Sequence, residues 1–259
     1  MTWWRARWWS EIAGGAHLTM ATFVLVHGGG HGGWCWDRLT PLLQAAGHNV
    51  FAPTLSGLAE RASERTIETN LSTHIADLVA IFDQHKISDA ILLGHSYGGM
   101  VITGAADRLG GRVSQLVYLD APHPRSGEAL IDTMPNAEER LLQGVEVIGE
   151  VPLTLFPTSE TLAVVYGLTD PADSEWALEH LTPHPLACFV EPLVLTDEAA
   201  FLKIPRASID CATTLRLRPP TLISRIESCK PRFVLDTGHD LMITEPRQLA
   251  DMLIEVVRR

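Results

Sequence analysis

Paired cysteines are missing from this chain of 259 residues. Its 4 cysteines, Cys35, Cys188, Cys211 and Cys229, lie far apart and form no C-x-x-C pair. That argues against a disulfide scaffold and fits a reduced, cytoplasmic protein. Basic residues are outnumbered, 20 Lys and Arg against 31 Asp and Glu, for a formal charge of -11. No basic stripe offers itself to nucleic acid, so no nucleic-acid partner is expected. The amino-terminal stretch lacks an uninterrupted apolar run, because Arg5, Arg7 and Glu11 interrupt its tryptophans. Neither a signal peptide nor a membrane anchor is expected from it. Residues 1–20 read either as an extension from a start assigned too early, with Met20 the true beginning, or as a disordered or surface-adhering Trp/Arg tail.

What is present begins with Ala90-Ile91-Leu92-Leu93-Gly94-His95-Ser96-Tyr97-Gly98-Gly99-Met100, an apolar strand, a serine between glycines, and a helix-compatible run to Ala106. A tight strand-to-helix turn strains the serine backbone and lifts its hydroxyl clear of the sheet. The helix that follows aims unpaired N–H groups at whatever Ser96 attacks. Upstream, the apolar run Thr22 to His27 ends in Gly28-Gly29-Gly30-His31-Gly32-Gly33. A phosphate-cradling loop would need a lysine and a following hydroxyl, which are absent. Instead, Gly29 N–H is expected to join Tyr97 N–H around a developing oxyanion. Downstream, His239 stands just beyond the strand-like Arg232 to Asp236, in the chain order expected of a general base that follows a serine nucleophile.

Between these sites apolar strands alternate with amphipathic helices, predicted over Trp36 to Ala46, Leu71 to Phe82, Pro220 to Ser228 and from Pro246 onward. The alternation predicts an α/β fold with a mostly parallel central sheet and helices on both faces. With 46% hydrophobic residues the chain can bury one full core, and residues 21–259 read as a single domain. The rhythm lapses over residues 121–202, where prolines divide short helical candidates around Asn136 to Gly144, Ser159 to Tyr166 and Asp173 to Leu181. So long a segment reads as a helical cap over the site. Leu153, Leu155, Phe156, Leu162, Val165, Trp176 and Leu178 are candidates for an apolar roof above a small, largely apolar, not strongly anionic substrate.

These motifs, with Leu116-Val117-Tyr118-Leu119-Asp120-Ala121, Leu181-Thr182-Pro183-His184-Pro185 and Gly238-His239-Asp240-Leu241-Met242, resemble the α/β-hydrolase superfamily. The resemblance is greatest to the branch of plant methylesterases, related bacterial esterases and α/β-fold hydroxynitrile lyases, and covers Thr22 to the C-terminus. It implies a Ser–His–Asp site, free of cofactor and metal, that cleaves small carboxylic esters through an acyl-enzyme on Ser96. The family's usual acid position falls at Thr214, which has no carboxylate. Asp210 is the first candidate to replace it and Asp120 the second; absence of any acid is the third reading. In that last case the pocket would serve as a small-molecule binding module. A lyase is disfavoured, because Gly28 and Asp240 stand where similar lyases carry a hydroxyl residue and a lysine, and a carboxylate beside the site opposes departing cyanide.

Overall fold

The computed structural model describes residues 20–133, 144–155 and 159–258. Residues 1–19 and most of the helix expected around Asn136 to Gly144, like Phe156, lie outside the described residues. Six strands form the central sheet: β1 (Thr22–Val26), β2 (Asn49–Phe51), β3 (Ala90–His95), β4 (Val113–Leu119), β8 (Arg206–Cys211) and β9 (Arg232–Leu235), in the order β2-β1-β3-β4-β8-β9. Every neighbouring pair is parallel. A parallel sheet must be covered on both faces, and the strands meet that need with runs of aliphatic residues. Val24, Leu92 and Leu116 pack toward one face with the helices α2 (Leu71–His85) and α3 (Gly98–Leu109). Phe23, Leu25, Leu93, Val117 and Ile209 face the other, against α1 (Thr40–Ala45) and the last helix, α5 (Pro246–Val257).

The chain leaves β1 toward β2 on one side and returns to β3 on the other. That reversal opens a crevice at the carboxyl ends of the two strands, where open α/β sheets place ligands. The glycine loop after β1 and the serine turn after β3 therefore meet. The helix expected from Trp36 is shorter, a 3₁₀ turn at Gly33–Trp36 followed by α1. Between β2 and α2 a 3₁₀ helix covers Ala59–Glu64.

Between β4 and β8 the segment is more mixed than a purely helical insertion. It includes the antiparallel strands β5 (Val145–Ile148), β6 (Val151–Thr154) and β7 (His184–Pro185), a π-helical turn at Leu162–Tyr166 and the helix α4 (Pro171–His180). It is tied down over the crevice: Thr182 N–H donates to Gly30 O, Gly30 N–H donates to His184 Nδ1, and Arg65 donates to Pro183 O. Of the expected roof residues, Leu153 and Leu162 are buried, whereas Leu155 and Leu178 are 37% and 40% exposed. Helix α4 buries Ala177, which turns the adjacent Leu178 outward.

Candidate active site

Ser96 follows β3 directly and adopts φ +51°, a left-handed conformation that non-glycine residues rarely take. The turn closes through Gly99 N–H donating to Ser96 O, at 2.9 Å. Its glycines allow close packing. A Cβ at Gly98 would sit 2.6 Å from Val26 O, and one at Gly94 would sit 2.5 Å from Gly98 O. The sharp turn expected from the sequence is thus present, with α3 starting immediately after it.

The glycine loop is fixed from several directions. His27 Nε2 accepts from Leu55 N–H, which leaves Nδ1–H to donate to Gly28 O at 2.9 Å. That carbonyl shares a peptide plane with Gly29 N–H, so holding one end orients the other. Burial lowers the pKa of His27 to about 3, so the ring stays neutral. Neither Gly29 N–H nor Tyr97 N–H is taken by a hydrogen bond among the described residues.

His239 lies beyond β9, in a loop held by the π-helical turn. Its N–H donates to Val165 O and Asp240 N–H donates to Tyr166 O, both at 3.0 Å. The Tyr166 ring stands edge-on to the imidazole at a centroid separation of 5.5 Å. His95, the residue before Ser96, donates from Nε2 to His239 O and has its ring 4.6 Å from that of His239. The base and the serine turn are therefore neighbours, although no hydrogen bond joins Ser96 Oγ to His239 among the described residues. Such contacts commonly close only around substrate.

The acid differs from the first expectation. His239 Nδ1–H donates to Asp120 Oδ2 at 2.5 Å, while Asp210 lies elsewhere. Asp210 sits within β8, on the same side as Ser208 and opposite to Ile209 and Cys211, as strand alternation requires. Its carboxylate accepts from Ser208 Oγ at 2.8 Å, and burial raises its pKa to about 6. Asp120 directly follows β4, the strand between β3 and β8, and adopts φ +43°. Thr214, in the vacant acid position, donates to both Asp120 oxygens at 2.6 and 2.7 Å. Arg218 donates to Oδ1 at 2.7 Å and to Ala121 O, and Cys211 N–H adds a longer contact at 3.3 Å. Burial alone would raise the Asp120 pKa; Arg218, His239 and Thr214 outweigh it and hold the group well below the usual carboxylate range.

Residues 23–252 match the alpha/beta hydrolase family. The chain belongs to that family. A carbendazim hydrolyzing esterase from Nocardioides sp. is 34% identical over 247 residues, spanning 90% of this chain and 98% of its own. Methylesterase 1 from Arabidopsis thaliana is 28% identical over 254 residues, spanning 90% of this chain and 95% of its own. The crystal structure of another Arabidopsis methylesterase superposes with a TM-score of 0.74 at 25% identity, covering 92% of this hydrolase and 99% of that chain. Both the superfamily and the esterase branch expected from the motifs are thereby shown.

Sequence reasoning left several parts of this hydrolase's site without a role. Arg218 carried only a weak signal, its position one helical turn after Thr214. His184 stood in a motif that bore the resemblance but had no assigned contact. Asp240 is fully buried against His31 at 3.1 Å, so its charge is paired rather than presented to a leaving group.

Proposed function

We propose that this ester hydrolase works through a Ser96–His239–Asp120 triad and an acyl-enzyme on Ser96. The carrying observation is the hydrogen bond from His239 Nδ1–H to Asp120, made beside a serine on a strained strand-to-helix turn. With Nδ1 protonated against a carboxylate, Nε2 is the free base. It takes the Ser96 proton as Oγ attacks the ester carbonyl carbon, and the oxyanion settles against Gly29 and Tyr97 N–H. Collapse breaks the bond to the alkoxy oxygen, which receives the proton from His239. Water, deprotonated in turn by His239, then attacks the acyl carbon; the acyl–Oγ bond breaks, His239 returns its proton to Ser96 Oγ, and the acid is released. Asp120 stays ionised throughout, fixes the tautomer of His239 and stabilises its imidazolium.

A small, largely neutral ester suits the aromatic side chains near the base, Tyr166 beside His239 and Trp34 with Trp176 further out. The charge of -11 disfavours polyanions. No nucleic acid, cofactor or metal enters this reading. The binding-module alternative rested on a missing acid, and Asp120 removes that ground. A cytoplasmic setting belongs to the proposal and fits four buried free cysteines. No helix among the described residues is long and apolar enough to cross a membrane. Purified protein should hydrolyse short p-nitrophenyl and methyl esters, and Ser96→Ala should lower kcat by roughly 10⁴-fold or more. Unchanged turnover in that variant would refute the mechanism.

A further inference from the structure

His31 contacts two groups that can only accept when Asp240 is ionised. Its Nδ1 lies 2.8 Å from Gly29 O and its Nε2 lies 3.1 Å from Asp240 Oδ2. Both ring nitrogens must then carry protons, which makes the ring an imidazolium. His31, itself within the glycine loop, is 1% exposed and Asp240 is fully buried, so the pair sits in the interior. Asp240 is the residue after His239, and the bridge therefore joins the loop of the base to the loop of Gly29.

We propose that His31 is a positioning residue for the oxyanion loop, an imidazolium held by Asp240 whose Nδ1–H fixes the Gly29 carbonyl. The Gly29–Gly30 peptide is gripped at both ends, by His31 at its carbonyl and by His184 Nδ1 at its N–H, 3.1 Å away. The preceding peptide is held by His27 through Gly28 O. Two fixed planes leave Gly29 little rotation, so its N–H is preorganised for a charge that forms only during reaction.

The surroundings suit one charged ring. Trp34 stacks on it at 5.2 Å, Tyr166 stacks at 6.3 Å from the π-helical turn, and His95 of β3 stands edge-on at 5.7 Å. Nearby His27, His95 and His184 are pushed toward neutrality by burial, and burial also raises the Cys35 thiol, with Asp240 adding to the shift. Asp240 is the neighbouring anion. Burial opposes protonation of His31 most strongly, yet the charge and hydrogen bond of Asp240, with Gly29 O, raise its pKa overall.

The inference rests on the reading of Gly29 N–H as an oxyanion donor, and two measurements separate them. Nitrogen-15 spectra of the wild-type imidazoles at pH 7.5 should show both nitrogens of His31 protonated; an unprotonated nitrogen there overturns the proposal without any variant. In kinetics with a p-nitrophenyl ester, His31→Gln keeps a donor toward Asp240 but loses the one toward Gly29. It should lower kcat about 10- to 100-fold with KM within about twofold. The double variant His31→Asn with Asp240→Asn restores a donor at the Nδ1 position and leaves no lone buried charge, so kcat should return to within about fivefold of wild type. Equal losses in the two variants, or a raised KM at unchanged kcat, overturn the positioning role. Full activity in Ser96→Ala would instead defeat the catalytic reading while leaving the spectroscopic result standing.

Discussion

Asp120 accepts from His239, Thr214, Arg218 and Cys211, so its carboxylate is fixed in place and in charge. Asp120→Asn should lower kcat by roughly 10³ to 10⁴, since His239 loses both tautomer control and imidazolium stabilisation. It also strands the Arg218 guanidinium, only 10% exposed, at a folding cost of about 3 kcal/mol or more. Melting curves must accompany the kinetics to separate the two effects. Asp210→Asn makes a contrasting case. Its kcat should stay within about threefold of wild type, because the group is bonded to Ser208 and lies off the triad. Burial raises the Asp210 pKa to about 6, so ionisation opposes folding as the pH rises from about 3.8 through 6. The Asn variant escapes that opposition, and its gain in urea midpoint over wild type should be larger at pH 8 than at pH 4. A gain that shrinks with rising pH would contradict this assignment.

At the scale of elements, much was legible because each signal was local. The helices that open at Pro220 and Pro246 start where their spacing predicts, and the glycines around Ser96 announced the turn. The acid was not local. Asp210 has the right place in sequence, but strand alternation turns its side chain to the wrong side, and only the order β3-β4-β8 brings the end of β4 beside Thr214. The hairpin of β5 and β6 was also missed, being four residues per strand with Pro152 inside the second. The loop of His239 has a comparable non-local dependence. Gly238 packs directly on the backbone of Gly167, which has φ +78°, and a side chain at 238 would collide there. Gly238→Ala should push the base loop off the π-helical turn and lower kcat by roughly 10²-fold, through a misplacement of His239 on the order of 1 Å. Restoration of the wild-type rate on lengthening the substrate would argue that the loop shapes binding rather than the base.

Across the whole molecule, buried histidines make folding sensitive to acid in a range where carboxylates are normally silent. Burial lowers His27 and His95 to about 3 and His74 to about 4, and it holds His123 and His184 well below 6.5. In the unfolded chain each regains a pKa near 6.5, so unfolding takes up protons once the pH falls below that value. A base whose folded pKa is depressed therefore loses stability progressively between about 6.5 and its folded value, up to about 1.4 kcal/mol per pH unit for each ring. Two groups oppose the trend. His31 has a raised pKa, so its contribution is present below about 6.5 and lost as pH rises through the folded value. Asp210, raised to about 6, is relieved of its buried charge by acid. Asp120 and Asp240 are lowered and lose their stabilising charge only further down, as the pH drops below the ordinary carboxylate value. These depressed rings, with His48 lowered by burial as well, outweigh the two opposing groups, so thermal melts at pH 7.5, 6.5, 5.5 and 4.5 should show a decline that begins near about pH 6.5 and steepens below it. Replacing His74, which bridges Tyr97 OH and Ser56 O at 2.9 Å each, with Gln should make the decline shallower even though the variant starts less stable. A melting temperature that stays level down to pH 4.5 would mean that these rings are already protonated in the fold, and would overturn the neutral, hydrogen-bonded roles given to His27 and His74.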